Sequence, residues 1–124
     1  IQQLEVRADG SWDLAVRVQN FSNVGIRIAR IDASLVLGGE AAGRIDAQPG
    51  VIAPAGSVEI LQLHITPTPA ARERVTAVLA ASERRSIAYS LEGTIYSSEP
   101  TSREDPFEFA SALAPVPGLA DTLR

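Results

Sequence analysis

Trp12, Leu14, Val16 and Val18 alternate with Ser11, Asp13, Ala15, Arg17 and Gln19, the period of two that gives a strand one face toward a core and one toward water. Leu4 and Val6 alternate in the same way with Glu5 and Arg7, and Asp9-Gly10 between the two runs is a two-residue turn signal. The pair reads as a hairpin, with the alternative that the first strand, within 1–10, crosses to a second sheet. After the turn-rich loop from Asn20 to Gly25, the β-branched stretch Ile26 to Leu37 changes phase: Ile26 and Ile28 are even, whereas Ile31, Ala33, Leu35 and Leu37 are odd. One face holds both sets only if the strand bulges or bends near Ala29-Arg30, and a strand changing sheets there would satisfy both halves.

Gly38-Gly39 closes that segment, Ala41 to Ala47 reads as a short strand, and Gln48-Pro49-Gly50 and Ile52 to Ser57 read as loop and turn. Val58 to Ile65 is the next strand, with a second phase change between Ile60 and Leu61. Thr68-Pro69 opens the single predicted helix, over 69–81, because Thr can cap free N–H groups and Pro suits the first helical position. Ala71, Val75, Val78 and Leu79 fall on one stripe, with Glu73 and Thr76 opposite and Arg72 and Arg74 on its flanks. Ser82 ends the stripe, Glu83-Arg84-Arg85 reads as a solvated helix end, and the stripe is expected to cover an open end or edge of the sheets. From Ile87 the period returns to two, with Tyr89, Leu91, Gly93 and Ile95 on one face. A polar loop, Ser97 to Asp105, then precedes a strand carrying Phe107 and Phe109, and 110–124 reads as a C-terminal tail.

Seven strands with short links and one helix predict an all-β fold: an immunoglobulin- or fibronectin-III-like antiparallel sandwich, one domain over 1–124. Trp12, Val16, Ile28, Leu35, Leu63, Leu91 and Phe107 are expected to face inward, filling the inter-sheet space without leaving a large pocket.

Composition narrows what such a domain can do. Apolar residues make up 45% of the 124 residues against 21% charged, which excludes disorder, and no apolar run reaches the ~20 residues of a membrane span. The eleven basic residues are all Arg, are scattered from Arg7 to Arg124, and leave a net charge of −4. Nucleic acid is therefore not an expected partner, since phosphate binding needs a clustered basic face. Without cysteine there is neither disulfide nor thiolate metal site. The first residue is Ile, so a signal peptide or a lipid-anchor cysteine is expected upstream, if at all.

No catalytic, cofactor-binding or metal residue is assigned. His64, the one histidine, shares a face with Gln62 and reads as a surface or edge residue, with no second His for a metal pair. Glu104-Asp105 are adjacent acids in a loop before Pro106, which does not hold two carboxylates across a cleft or supply enough oxygen ligands for calcium. Gly38-Gly39 and Gly43 lie between strands without the spacing of a phosphate loop. Gly93 interrupts a buried face and reads as a close sheet-to-sheet contact or a bulge.

Taken in series, these segments resemble the Water stress and Hypersensitive response domain of atypical late embryogenesis abundant proteins, from about Trp12 to Phe109. The matching parts are Val18-Gln19-Asn20, Ile26 to Leu37, Gly38-Gly39, the Ile52-Ala53-Pro54-Ala55-Gly56-Ser57 turn, the helix Pro69 to Ala81 and the strand Tyr89 to Ile95. Phe21 and Ser22 depart from the family, standing where its turn has Pro and a second Asn. The resemblance implies a non-catalytic, desiccation- or stress-associated protein that shields client proteins or membrane surfaces. It further implies an exported lipoprotein domain of a bacterial cell envelope or periplasm, with a cytoplasmic protein as the alternative. An immunoglobulin- or fibronectin-like accessory module of a larger secreted or envelope assembly is the other reading.

Overall fold

The computed structural model describes residues 1–81 and 85–124. Nine strands and one helix follow in the order β1 (Gln3–Val6), β2 (Trp12–Gln19), β3 (Ile26–Leu37), β4 (Glu40–Ala47), β5 (Val51–Ala53), β6 (Val58–Ile65), α1 (Pro69–Ala80), β7 (Ile87–Glu99), β8 (Arg103–Leu113) and β9 (Thr122–Leu123). A four-stranded sheet, β6-β2-β1-β9, packs on a five-stranded one, β4-β3-β7-β8 with β5 beside β3. Every named pairing is antiparallel. The all-β sandwich is therefore the fold, with β4 in the sheet of β3, the fibronectin-III-like arrangement.

β1 and β2 form the expected hairpin, Leu4 opposite Leu14, but its connection runs from Arg7 to Ser11, whose backbone groups close it, so Asp9-Gly10 is only its tip. The phase change in β3 is a bulge and not a change of sheet. Ile28 pairs with Ser97 and Arg30 with Tyr96, leaving Ala29 extra; the parity then switches while β3 stays between β4 and β7. Val58 to Ile65 shows no bend at all. Its pairing with β2 is continuous, and Val58 and Ile60 are simply exposed on the outer face, so their apolar character misled the parity argument.

Three segments expected as loop or tail are strand. Val51–Ala53 inside the expected loop region pairs with Ile26–Ile28. Ser97 to Asp105 is mostly ladder, because β7 reaches Glu99 and β8 starts at Arg103. β8 also runs on to Leu113, and Thr122–Leu123 adds to β1. Polar side chains concealed the ladder within Ser97 to Asp105, since a strand facing water on one or both sides loses its apolar alternation, while β5 and β9 are too short to show a period.

The helix begins as expected: the Thr68 side chain accepts from the Ala71 N–H, and Pro69 occupies the first turn. It ends at Ala80, with Ala81 already extended; the expected boundary at Ser82 and the Glu83-Arg84 pair lie outside the described residues. Ala71 and Val75 are buried and Val78 and Leu79 pack against the core. The helix lies on β4, tied by the Thr68 N–H to Ala42 O and the Thr68 hydroxyl to Ala41 O. Arg74 reaches the Gly38-Gly39 turn and Arg72 the Gly10 turn, so α1 closes the end of the sandwich where those two turns sit.

Packing is lopsided as a result. The largest fully buried side chains are Trp12, Leu4, Leu14, Leu35, Leu37, Leu113, Leu123 and Val75, all in the helix half. Of the residues expected inward, Trp12, Ile28, Leu35, Leu63 and Leu91 are buried, whereas Val16 and Phe107, farther from the helix, are only half-buried against the core.

Candidate functional site

β2 and β6 set Asp13 directly opposite His64, on the outer face. His64 Nδ1 lies 2.9 Å from Asp13 Oδ1 and Arg7 Nη1 lies 2.6 Å from Asp13 Oδ2. The hydrogen bond from His64, and after it that from Arg7, holds the Asp13 carboxyl below the usual carboxylate range. An Asp–His pair is the orienting half of a hydrolytic triad, but the neighbouring Ser11 hydroxyl donates to Asp9 Oδ1. The imidazole is largely exposed. The arrangement is an exposed ion-pair cluster, as the surface placement of His64 implied, although its tie to Asp13 and Arg7 was missed because the partners are 51 and 57 residues away.

Glu104 and Asp105 are not in a loop but in β8, opposite Tyr96 and Ile95. Asp105 pairs with Arg103 at 3.1 Å. Gly38 and Gly39 form the two-residue β3–β4 turn, with φ of 62° and 81°, the left-handed pair that such a tight hairpin requires. Gly93 is a close approach within one sheet and not between sheets: a Cβ there would stand 2.5 Å from Ala33 Cα and also meet the Asp32 carbonyl, while its pairing with Ala33 is unbroken. Among the described residues no group of three or more His, Asp or Glu could hold a metal. None of the described helices is long and apolar enough to cross a membrane.

A denser charge array covers the outer face of the five-stranded sheet. Arg44 grips Asp32 with two hydrogen bonds of 2.8 and 2.9 Å, and Arg30 grips Asp46 with two of 3.0 and 3.2 Å. Arg30 also lies 5.4 Å over the Tyr96 ring. Arg44 in particular holds Asp32, whose side chain is only 17% exposed, below the ordinary carboxylate range. The array satisfies its own charges and reads as structural.

What the sequence did not foresee is an open apolar cleft of about 640 Å³ between the sheets, running along the β8 side from Tyr89 and Ser111 to Phe21. The expectation of a filled inter-sheet space fails there because β1 spans only four residues and pairs with β2 no farther than Ala15. The four-stranded sheet is thus narrow where β7 and β8 are long. Val16 and Val18 face Ile31, Leu91 and Ile95 across the cleft, and all three phenylalanines, Phe21, Phe107 and Phe109, line it.

Phe21 is 86% exposed, yet the loop that carries it is pinned. Buried Asn20 donates from its amide to the carbonyls of Val24, Ala53 and Pro54, and its side-chain oxygen accepts from the Ser22 N–H and hydroxyl. This network draws Phe21 and Val24 to the β5–β6 turn. There Ile52 and Val58 are exposed as well, giving a fixed apolar end. Asn20 was legible only as a turn residue; its role needed partners 33 and 34 residues away.

Two antiparallel sheets, an end-closing helix and an apolar opposite end define the class: a fibronectin-III-like β-sandwich. No family model and no curated protein matches the chain. Among solved structures, the chain is similar to a protein of Arabidopsis thaliana known from its solution structure, 19% identical over 90% of this chain and 73% of that one, with a TM-score of 0.59. It is also similar to a protein of Archaeoglobus fulgidus known from a crystal structure, 17% identical over 91% of this chain and 92% of that one, with a TM-score of 0.50. At such identities the likeness shows the fold alone.

Proposed function

We propose that this domain is a non-catalytic protective module of the Water stress and Hypersensitive response type, shielding labile proteins or membrane surfaces through its own surface. The observation that carries the reading is the pinned apolar end, Phe21, Val24, Ile52 and Val58 around Asn20. A rigid exposed aromatic loses little entropy on contact, and such residues dominate binding energy at interfaces. An exported envelope protein, lipid-anchored upstream of these residues, is the setting proposed, and the gene sequence ahead of Ile1 tests it: a signal peptide ending at a cysteine is the expected finding.

The activity test is to dry or heat a labile enzyme with the domain present. Protection should rise with dose, fall to that of an inert globular protein of equal mass in Phe21→Ser, and remain at the parent level in His64→Ala and Asp105→Asn. Protection no better than the inert protein's would reject the reading in favour of an accessory module of a larger assembly.

A further inference from the structure

We propose that the β8 edge is a self-association surface, at which two copies of this chain pair antiparallel through Phe107–Ser111 with Phe109 facing Phe109. β8 ends the five-stranded sheet, and no strand lies on its other side among the described residues. An open edge presents a row of unpaired N–H and C=O groups, and folded proteins that stay monomeric block such rows with charge, proline or cover. The other edges of this molecule are blocked. α1 covers β4 through Thr68, β9 and β5 have two and three residues, and β6 turns the charged Glu59 toward its inner face, in phase with buried Leu61 and Leu63.

β8 is protected in one half only. Its first four residues are Arg103, Glu104, Asp105 and Pro106, three charges and a residue without an N–H. From Phe107 to Ala112 there is a single charge and no proline, and Phe109 through Ala112 are all exposed. Phe109, at 52% exposure, already meets Tyr89 with ring centroids 6.2 Å apart, so a second Phe109 would extend an existing aromatic pair.

Charge rules out one register, and the Tyr89–Phe109 ring pair favours the next. Glu108 stands directly opposite Glu92 of β7. A two-fold axis at Glu108 would add the partner's Glu108 and Glu92 to that row, four carboxylates side by side, a disfavoured alignment. An axis at Phe109 places Glu108 opposite the partner's Ala110 and Phe107 opposite its Ser111. Paired residues of antiparallel strands point to the same face, so the partner's Phe107 and Phe109 would arrive beside the apolar cleft and extend its wall. The surface is β8, not Phe21, and the proposal stands whether or not the protective reading does.

Sedimentation velocity over a range of concentrations should show a monomer–dimer equilibrium in the parent. Phe109→Lys should weaken it at least about tenfold by setting like charges face to face, and mixing Phe109→Lys with Phe109→Glu should restore a dimer, because position 109 meets only itself. The natural lack of cysteine allows a second arm that needs no loss of association. Phe109→Cys should give a disulfide-linked dimer on mild oxidation, since facing residues have Cβ atoms close enough for a disulfide after a small adjustment, and Glu104→Cys should not. A parent that is monomeric throughout, a dimer indifferent to Phe109→Lys, or equal cross-linking at both positions would each overturn the proposal. A monomeric parent that still binds an apolar dye would pass the edge to a different occupant.

Discussion

The two halves of the sandwich are built from the same strands, yet one is sealed and the other is open. At the helix end, Trp12, Leu14, Leu35 and Leu37 are at most 1% exposed, where α1 closes the end and the β1–β9 pair widens the four-stranded sheet. At the far end the same β2 and β3 continue without a roof, and Val16, Val18 and Phe107 stay half-covered. Burial is what converts apolar area into stability, at roughly 25 cal/mol per Å². The helix half therefore carries the fold, and the open half is free to present apolar surface at little cost to it.

Truncation separates the halves most sharply. Leu14→Ala and Leu37→Ala should each cost about 3–5 kcal/mol in chemical denaturation, the range for a cavity left in a close-packed core. Phe21→Ala should change stability by no more than about 0.5 kcal/mol. Equal costs on the two sides would erase the contrast. A smaller effect tests the lid alone: Thr68→Ala removes the helix cap and also a bond to Ala41, and should cost about 1 kcal/mol, seen as a shift of the denaturation midpoint without a change in slope.

The smallest effect concerns pH and belongs to the outer charge array. Asp32 is held below its ordinary range by Arg44, so the unfolded chain binds its proton at higher pH than the folded one. Its stabilisation is complete above the ordinary carboxylate pKa, about 3.9, and is lost as pH falls through the lower folded value. Asp32→Asn should flatten the acid side of a stability–pH curve while leaving the neutral-to-alkaline side with the same slope; an unchanged acid limb would assign the loss to other carboxylates, Asp13 first.

Much of the fold was legible because apolar alternation is a local property. The Trp12 to Val18 face, the Thr68-Pro69 helix start and the bulge near Ala29 all follow from neighbours in sequence. Where the chain depends on distant pairing, parity failed: Val58 and Ile60 are apolar and outside, Val51–Ala53 and Thr122–Leu123 are too short to show a period, and Arg103 to Asp105 look like a loop but hydrogen-bond to β7. The candidate surface was less legible still. Nothing local says that β1 stops at Ala15's level, which opens the cleft, or that Asn20 reaches Ala53 and Pro54 to fix Phe21. The Gly93 contact lay between these cases: the break in the buried face was visible, while the identity of the close neighbour, Ala33, depended on register.

Leu4 and Leu123 face each other across the β1–β9 ladder, both without solvent exposure, so the first strand of the domain waits for the last. During synthesis, the sealed half cannot finish until Leu123 has emerged from the ribosome, by which time β2 to β8 have had the length of the chain in which to pair. Contacts so far apart in sequence close late and make folding slow for a chain of this size. The β1–β9 seam is thus a closing step set by chain length: until it forms, Leu4 lacks the cover of its most sequence-distant neighbour.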